Sequence, residues 1–408
     1  MRRLIAFILV LTIVMSLFTG CKKDDGSKIP ADFGSYGADL ARELASKYPF
    51  RKAYSAEEAQ AGEMIRAEFE KLGYEVQVQS FTGSDGKQSN NYVAIRKGSG
   101  FYSKSDGTTD YIPTERYVVI GAHYDSKYSK KDLDKFNASQ KEEKGDKAVI
   151  YDYDGINDNA SGIGALMTCA RELPNYSNMA YNVIFVAFGA SSDDYAGAKS
   201  FFNALTPDVK SKLEAMFCID SIYAGDKIYA SSGMSSLLPG RKYSLRRKLY
   251  QAYDVCYENS LYSVNGFNLL YNESGIRKDF NNDGSEDVYS EISENKSDYV
   301  PFDNNLIPVV FFDSFDYNFD AIKDMHDTKN LELQDFEGMV RGTFLDSMTR
   351  LDPILKTEEG DLLKTRINNV AFVILGTAMK GSDTALTYVQ YMEELENGKN
   401  ATQLSETT

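Results

Sequence analysis

Basic residues are in short supply. The 408-residue chain carries 45 Lys and Arg against 60 Asp and Glu, a formal charge of −15. That balance excludes a nucleic-acid partner, which needs a basic footprint. Cysteine is scarce too, with four in the chain. Setting Cys21 aside, Cys169, Cys218 and Cys256 are odd in number and far apart. They exclude a disulfide framework and a C-x-x-C metal pair. Cys169 and Cys218 lie in apolar segments and read as ordinary core residues. Long hydrophobic runs are missing except at residues 4–18, and that run is too short for a comfortable membrane span. Arg2 and Arg3 precede it, so it fits the apolar region of an export signal. Histidine is the rarest of the ligand-type residues: the chain has His123 and His326 and no other.

What is present is a normal globular composition, with 42% hydrophobic residues. The run at 4–18 ends in "LFTGC", which resembles a bacterial lipoprotein signal. That resemblance implies a signal peptide at 1–20, a lipid on Cys21, and an exported protein anchored on the outer face of a bacterial membrane. Residues 21–35 then form a polar tether. The folded domain is expected over 36–390, with a frayed polar tail over 391–408. Helical periodicity marks 36–48 and 56–72, where Ala61, Ile65, Phe69 and Leu72 share a face. Alternation marks strands in "GYEVQVQSF" and "NNYVAIRKG". A polar loop is expected over 100–114. Buried strands follow in "RYVVIGAH", "YNVIFVAF", "LEAMFCI" and "IPVVFFDS", with helices in "ASGIGALMTCAREL" and "YAGAKSFFNAL" between them. Strands alternating with helices predict an α/β domain: a mostly parallel central sheet with helices on both faces.

Ligands in such sheets bind at the carboxyl ends of the strands. The polar residues at those ends are His123 and Asp125, Asp158, the run Ser191, Ser192, Asp193 and Asp194, then Asp220, and finally His326. A lone histidine is more often structural than a ligand. Here both histidines of the chain fall in carboxylate-rich loops at ligand positions, which reverses that expectation.

The segments "VVIGAHYDS", "GINDNASGIGAL", "IFVAFGASSDDYAGAKSF", "CIDS", "SDYVPF" and "MHDT" together resemble the di-zinc aminopeptidase family. That family includes bacterial leucyl aminopeptidases and glutamate carboxypeptidases, and also transferrin receptor and nicastrin, which kept the fold and lost the chemistry. The resemblance covers about residues 36–380 and implies the three-layer zinc-exopeptidase fold. It also implies roles. His123 and Asp220 would hold one zinc, with Asp158 bridging to a second and Asp125 orienting the His123 ring. His326 and the second residue of a Glu-Glu pair would hold the other zinc. The first Glu would be the general base. Paired metals polarise the peptide carbonyl and activate water, and the carboxylate moves the proton to the leaving amine.

At that pair the chain departs from the family. Counting back from Gly197 without a gap, the two glutamate positions are Ser191 and Ser192. A hydroxyl is no base near neutral pH, and a neutral oxygen is a poor zinc ligand. Asp193 and Asp194 follow directly and offer a rescue, although a role in capping the next helix is the plainer reading. Tyr299 stands where many relatives have His, a substrate-side position. The expectation is one zinc, or two with rescue, in a surface-anchored protein that binds peptide or protein with weak or no hydrolysis. The alternative is an active zinc aminopeptidase using Asp193 or Asp194. Separately, Asp279, Asn281, Asp283 and Asp287 have the offsets of a calcium loop, but position twelve is Ser290 and no paired helices flank it. A solvated acidic loop is the reading preferred there.

Overall fold

A computed structural model describes residues 33–104, 110–272, 276–279, 283–318, 324–358 and 360–406. Cys21, the signal segment and most of the tether lie outside the described residues, as does Asn281.

The central sheet is built from β1 (Val76–Thr82), β2 (Gln88–Arg96), β3 (Tyr117–His123), β4 (Asn182–Phe188), β5 (Leu213–Ile219), β6 (Lys227–Ser231), β7 (Leu269–Leu270) and β8 (Val309–Phe315). Their spatial order is β1-β2-β4-β3-β5-β8-β6-β7. The middle four, β4-β3-β5-β8, are parallel, and β1, β2 and β6 run antiparallel to their neighbours toward the middle. β4 and β8 are buried at every position, as "NVIFVAF" and "VVFFDSF" demand of strands covered on both faces. The chain leaves β3 for β4 on one side and reaches β5 on the other. Strand order therefore reverses at β3, and a crevice opens at its carboxyl end.

Alternate residues of these strands feed two cores. Val118, Ile120, Phe185, Phe217 and Phe312 face one layer of helices, and Val119, Ile184, Phe188, Met216 and Phe311 face the other. The first layer holds α1 (Tyr36–Lys47), α2 (Ala56–Lys71), α4 (Ser161–Glu172), α6 (Lys242–Glu258) and α7 (Leu362–Met379). The second holds α5 (Ala196–Ala204) with its Phe201 and Phe202. An exposed helix, α3 (Lys130–Lys144), is closed by a capping box between Ser129 and Asp132. α1 and α4 cross where a side chain has no room: a Cβ on Gly37 would lie 2.6 Å from Gly164 O, and one on Gly164 would lie 2.5 Å from Gly37 O. Cys169 and Cys218 are fully buried free thiols in these cores.

Two expectations change. The 100–114 segment contributes strands Phe101–Lys104 and Tyr111–Thr114, which pair with each other and with Leu386–Thr387. Aromatic packing outweighs the polar composition there: Phe101 sits 4.7 Å from Tyr181, and Tyr102 stacks on Tyr391 at 4.3 Å. The segment after 390 continues a helix, Tyr388–Glu406, whose first turns carry that Tyr391. Among the described residues no helix is long and apolar enough to cross a membrane.

Candidate metal centre

His123 closes β3, and its Nε2 lies 3.2 Å from Asp158 Oδ1 and 3.6 Å from Asp220 Oδ1. Among the described residues these three form the group of ligand-type side chains close enough to share an ion, with donor atoms all within 4.8 Å of one another. The other ring nitrogen, Nδ1, faces Asp125, 3.2 Å from its carbonyl oxygen and 3.3 Å from Oδ1. That contact leaves Nε2 for the shared ion. A pocket of about 410 Å³ opens over the group, with Ser191, Ser192, Lys296 and Arg341 in its wall.

Two fully or nearly buried arginines and one aspartate hold the loops that carry these side chains. Arg51 is 0% exposed and donates to Tyr124 O (2.7 Å), Asp154 O (2.6 Å), Gly155 O (2.6 Å) and Tyr48 O (3.2 Å). It thereby ties the loop after His123 to the loop before Asp158. Arg366 does the same for the loop after Asp220, donating to Tyr223 O and Gly225 O at 2.7 Å each. Asp346 accepts from Asn157 N (2.8 Å) and Asp158 N (2.9 Å). The Asp158 and Asp220 loops are stitched together by amide side chains. Asn157 Oδ1 accepts from Tyr223 N and Ala224 N, and Asn159 Oδ1 accepts from Ser221 N and Gly162 N.

The electrostatics are those of a cation site. Burial alone would lower His123, but Asp220, Asp125 and Asp158 outweigh it and hold the imidazole well above its usual range. Burial would raise Asp220, but Arg341 and His123 hold it well below the carboxylate range. One imidazole and two carboxylates match the donor preferences of zinc, leaving further positions open. The neighbouring carboxylates favour a proton on the ring, and zinc competes with that proton for Nε2. Loading is therefore expected to release about one proton per ion near neutral pH. Calorimetry in buffers of different protonation heats reads this, and no release would mean that the ring is already neutral.

The remaining expected site residues are placed differently. Ser191 donates to Asp298 Oδ2 (2.9 Å), and Ser192 donates to Asp125 Oδ2 (2.8 Å). Asp193 neither reaches the group nor caps a helix: it accepts from Tyr54 Oη (2.5 Å), Ser84 Oγ (2.6 Å) and Ser84 N (2.9 Å). Asp194 pairs with Lys199 at 2.5 Å in solvent, and α5 begins without a side-chain cap. His326 is outside the group; its Nδ1 lies 2.6 Å from Asp324 O and its Nε2 3.6 Å from Asp316 Oδ2. Tyr299 is 2% exposed, packs on Phe311 and donates to Asn295 O, so it is core rather than substrate-side. In the acidic loop, Asp279 accepts from Asp283 N and Gly284 N, between strands Ile276–Lys278 and Asp287–Tyr289 rather than helices.

Arg51, Arg366, Asp346 and Arg341 carry no motif signal, because their partners are distant in sequence. Asp298 had one: it is the carboxylate beside Tyr299 in "SDYVPF". It is fully buried, and burial pushes it up to about 7.

A profile of Peptidase family M28 matches residues 104–341, more than half of the chain. The chain belongs to Peptidase family M28. This M28 chain is 24% identical over 222 residues to the alkaline phosphatase isozyme conversion protein of Escherichia coli (strain K12), a match covering 53% of this chain and 59% of that protein. It therefore spans about three-fifths of that relative's length. It resembles BSAP, a zinc aminopeptidase from Bacillus subtilis, with a TM-score of 0.51 at 13% identity over 87% of this chain and 99% of that one. It resembles a glutaminyl cyclase from Porphyromonas gingivalis with a TM-score of 0.50 at 17% identity over 86% and 99%. Relatives with this M28 fold are thus named for two different reactions. The likeness carries the fold, and the chemistry rests on the side chains.

Behind the Ser191-Ser192 loop, Glu58 of α2 is 2% exposed and accepts from Ala190 N (2.8 Å), Ser89 Oγ (2.8 Å) and Tyr54 N (2.6 Å). Burial, reinforced by Asp125, pushes Glu58 up to about 8, and burial pushes Asp154 up to about 7. Both carboxyls hold their protons more tightly folded than unfolded. Their stabilisation is complete below the ordinary carboxylate range, at about pH 4. It is lost as pH rises through about 7 and about 8. The melting temperature is expected to fall from about pH 4 to about pH 8, and Glu58→Gln to flatten that slope. An identical slope in the variant would assign the pH dependence to other groups.

Proposed function

We propose that this chain is an exported M28 protein, lipid-anchored through Cys21, that holds one zinc at His123, Asp158 and Asp220 and binds peptide or protein with little or no hydrolysis. The observation that carries this reading is the state of the 191–194 run. Both serine hydroxyls are committed to carboxylates, Asp193 is bound to Ser84 and Tyr54, and Asp194 pairs with Lys199. No carboxylate of that run is left to take a proton from water.

A zinc ion held there supplies Lewis acidity toward a carbonyl oxygen. The chain's own side chains do the rest. Asp125 keeps the His123 ring oriented, and the Arg51 and Asp346 hydrogen bonds keep Asp158 in place. Binding without turnover follows from a site that positions a ligand but lacks a group to move the proton.

The test combines zinc content with a peptide digest. The full chain in detergent is loaded with zinc, desalted and analysed for metal, then incubated with a peptide mixture followed by mass spectrometry. The expected result is about one zinc per chain, as a His-Asp-Asp set with open positions holds, with the peptides intact. Two zincs with trimming of N-terminal residues would establish the aminopeptidase reading, with Asp193 or Asp194 recruited. The anchor is tested by fatty-acid labelling, which Cys21→Ser should abolish.

A further inference from the structure

The group at His123 is missing the second-metal ligands that the family resemblance implies, yet its acidic character remains. Asp158 lines the pocket, and the buried Asp220, Asp313 and Asp327 lie near enough to Arg341 to act on its charge. Arg341 enters this cluster. Its Nη2 pairs with Asp220 Oδ2, the oxygen turned away from His123, and lies 3.4 Å from Lys296 O. Its side chain is 20% exposed, so the charge sits at the pocket wall rather than in free solvent.

We propose that the guanidinium of Arg341, held on the Asp220 oxygen that does not face His123, is a fixed cation that weakens metal binding at His123, Asp158 and Asp220. This inference rests on the metal-binding reading of His123, Asp158 and Asp220.

Three observations support the assignment. First, Asp220 divides its two oxygens. Oδ1 faces His123 and accepts from Ser221 Oγ, while Oδ2 accepts from Ser297 Oγ and Arg341. A metal on the first oxygen and an arginine on the second are compatible. Second, the arginine is aimed by built structure. Asp327 Oδ2 accepts from both Val340 N and Arg341 N at 2.7 Å, and Asp327 N donates to Gly338 O. The "MHDT" segment thus fixes the turn that delivers Arg341, while its histidine faces Asp324 and Asp316. Third, the cation from which Asp220 Oδ2 accepts is a permanent one. An arginine keeps its charge at every working pH and cannot be lost by dilution, unlike a weakly held ion.

The test is zinc titration of the full chain by chelator competition, on wild type, Arg341→Ala and Arg341→Lys. Removing a cation that shares a carboxylate with the metal is expected to raise zinc affinity about 10- to 100-fold, while Arg341→Lys stays near wild type. Zinc-induced stabilisation in thermal melts should grow in parallel. If Arg341→Ala unfolds without metal, recovery of its far-UV signal on adding zinc supports the proposal, since zinc then replaces the lost charge. A wild type that binds one zinc and an Arg341→Ala chain with unchanged affinity would overturn the inference and leave the function reading standing. Zinc binding by Arg341→Ala alone would support it while removing zinc from the natural site. No binding by any of the three would sink both.

Discussion

Replacing Ser191 and Ser192 together by glutamate is expected to raise hydrolysis of an N-terminal leucyl amide by roughly 100- to 10,000-fold over the natural chain. Most of the gain should come from Ser191→Glu. Ser191 lies in the pocket wall, and its hydroxyl already points at Asp298 Oδ2. A glutamate there would share a proton with Asp298, which burial pushes up to about 7. Two carboxyls holding one proton avoid placing two full charges side by side. At Ser192, a glutamate adds negative charge beside Asp125, with Lys127, Lys296 and Arg341 in the same pocket wall to offset it. Ser191→Gln matches the shape of glutamate without its basicity and should gain nothing. Initial rates on the zinc-loaded variants decide the matter. If the double variant is as inactive as the natural chain, the missing base is not the main lesion, and the second cation position is.

The second large effect is structural. Arg51→Met is expected to destabilise the fold by about 3–5 kcal/mol, since a buried carbonyl left without its donor costs about 1–3 kcal/mol. Burial holds this guanidinium below its usual range, and its hydrogen bonds go to four main-chain carbonyls rather than to a carboxylate. Methionine fills similar volume but leaves those carbonyls without donors. Two of them belong to Asp154 and Gly155 and one to Tyr124, on either side of the His123–Asp158 contact. Zinc content should therefore fall together with stability. Urea unfolding of metal-free protein separates the two, because it reports the loss of stability with no ion present. An Arg51→Met chain that keeps wild-type stability would show that water satisfies the carbonyls.

The central strands were readable in the sequence because they are short apolar runs covered on both faces, and such runs need no distant information. His123, Asp158 and Asp220 were readable for a related reason. Each sits at or next to the end of a buried element, where a polar residue stands out against apolar neighbours, and the three lie together. Arg51 and Arg341 were not readable. Each works through a partner more than a hundred residues away, and an arginine between ordinary neighbours has no periodicity. Tyr299 illustrates the opposite error. Its place in a motif suggested contact with substrate, whereas the strand beside it draws its ring into the core against Phe311. His326 occupies a motif position too, but the turn around it serves the Asp327 hydrogen bonds to Val340 and Arg341.

The loop at 190–192 is held by its main chain. Ala190 N donates to Glu58, and Ser191 N and Ser192 N donate to the two oxygens of Asp125. Any residue except proline supplies such an N–H. These three main-chain bonds do not depend on which side chains the loop carries, and the Ser192 hydroxyl adds one more bond to Asp125. Substitutions at these two positions are therefore expected to change the chemistry of the pocket wall while the main-chain bonds still hold the loop in place.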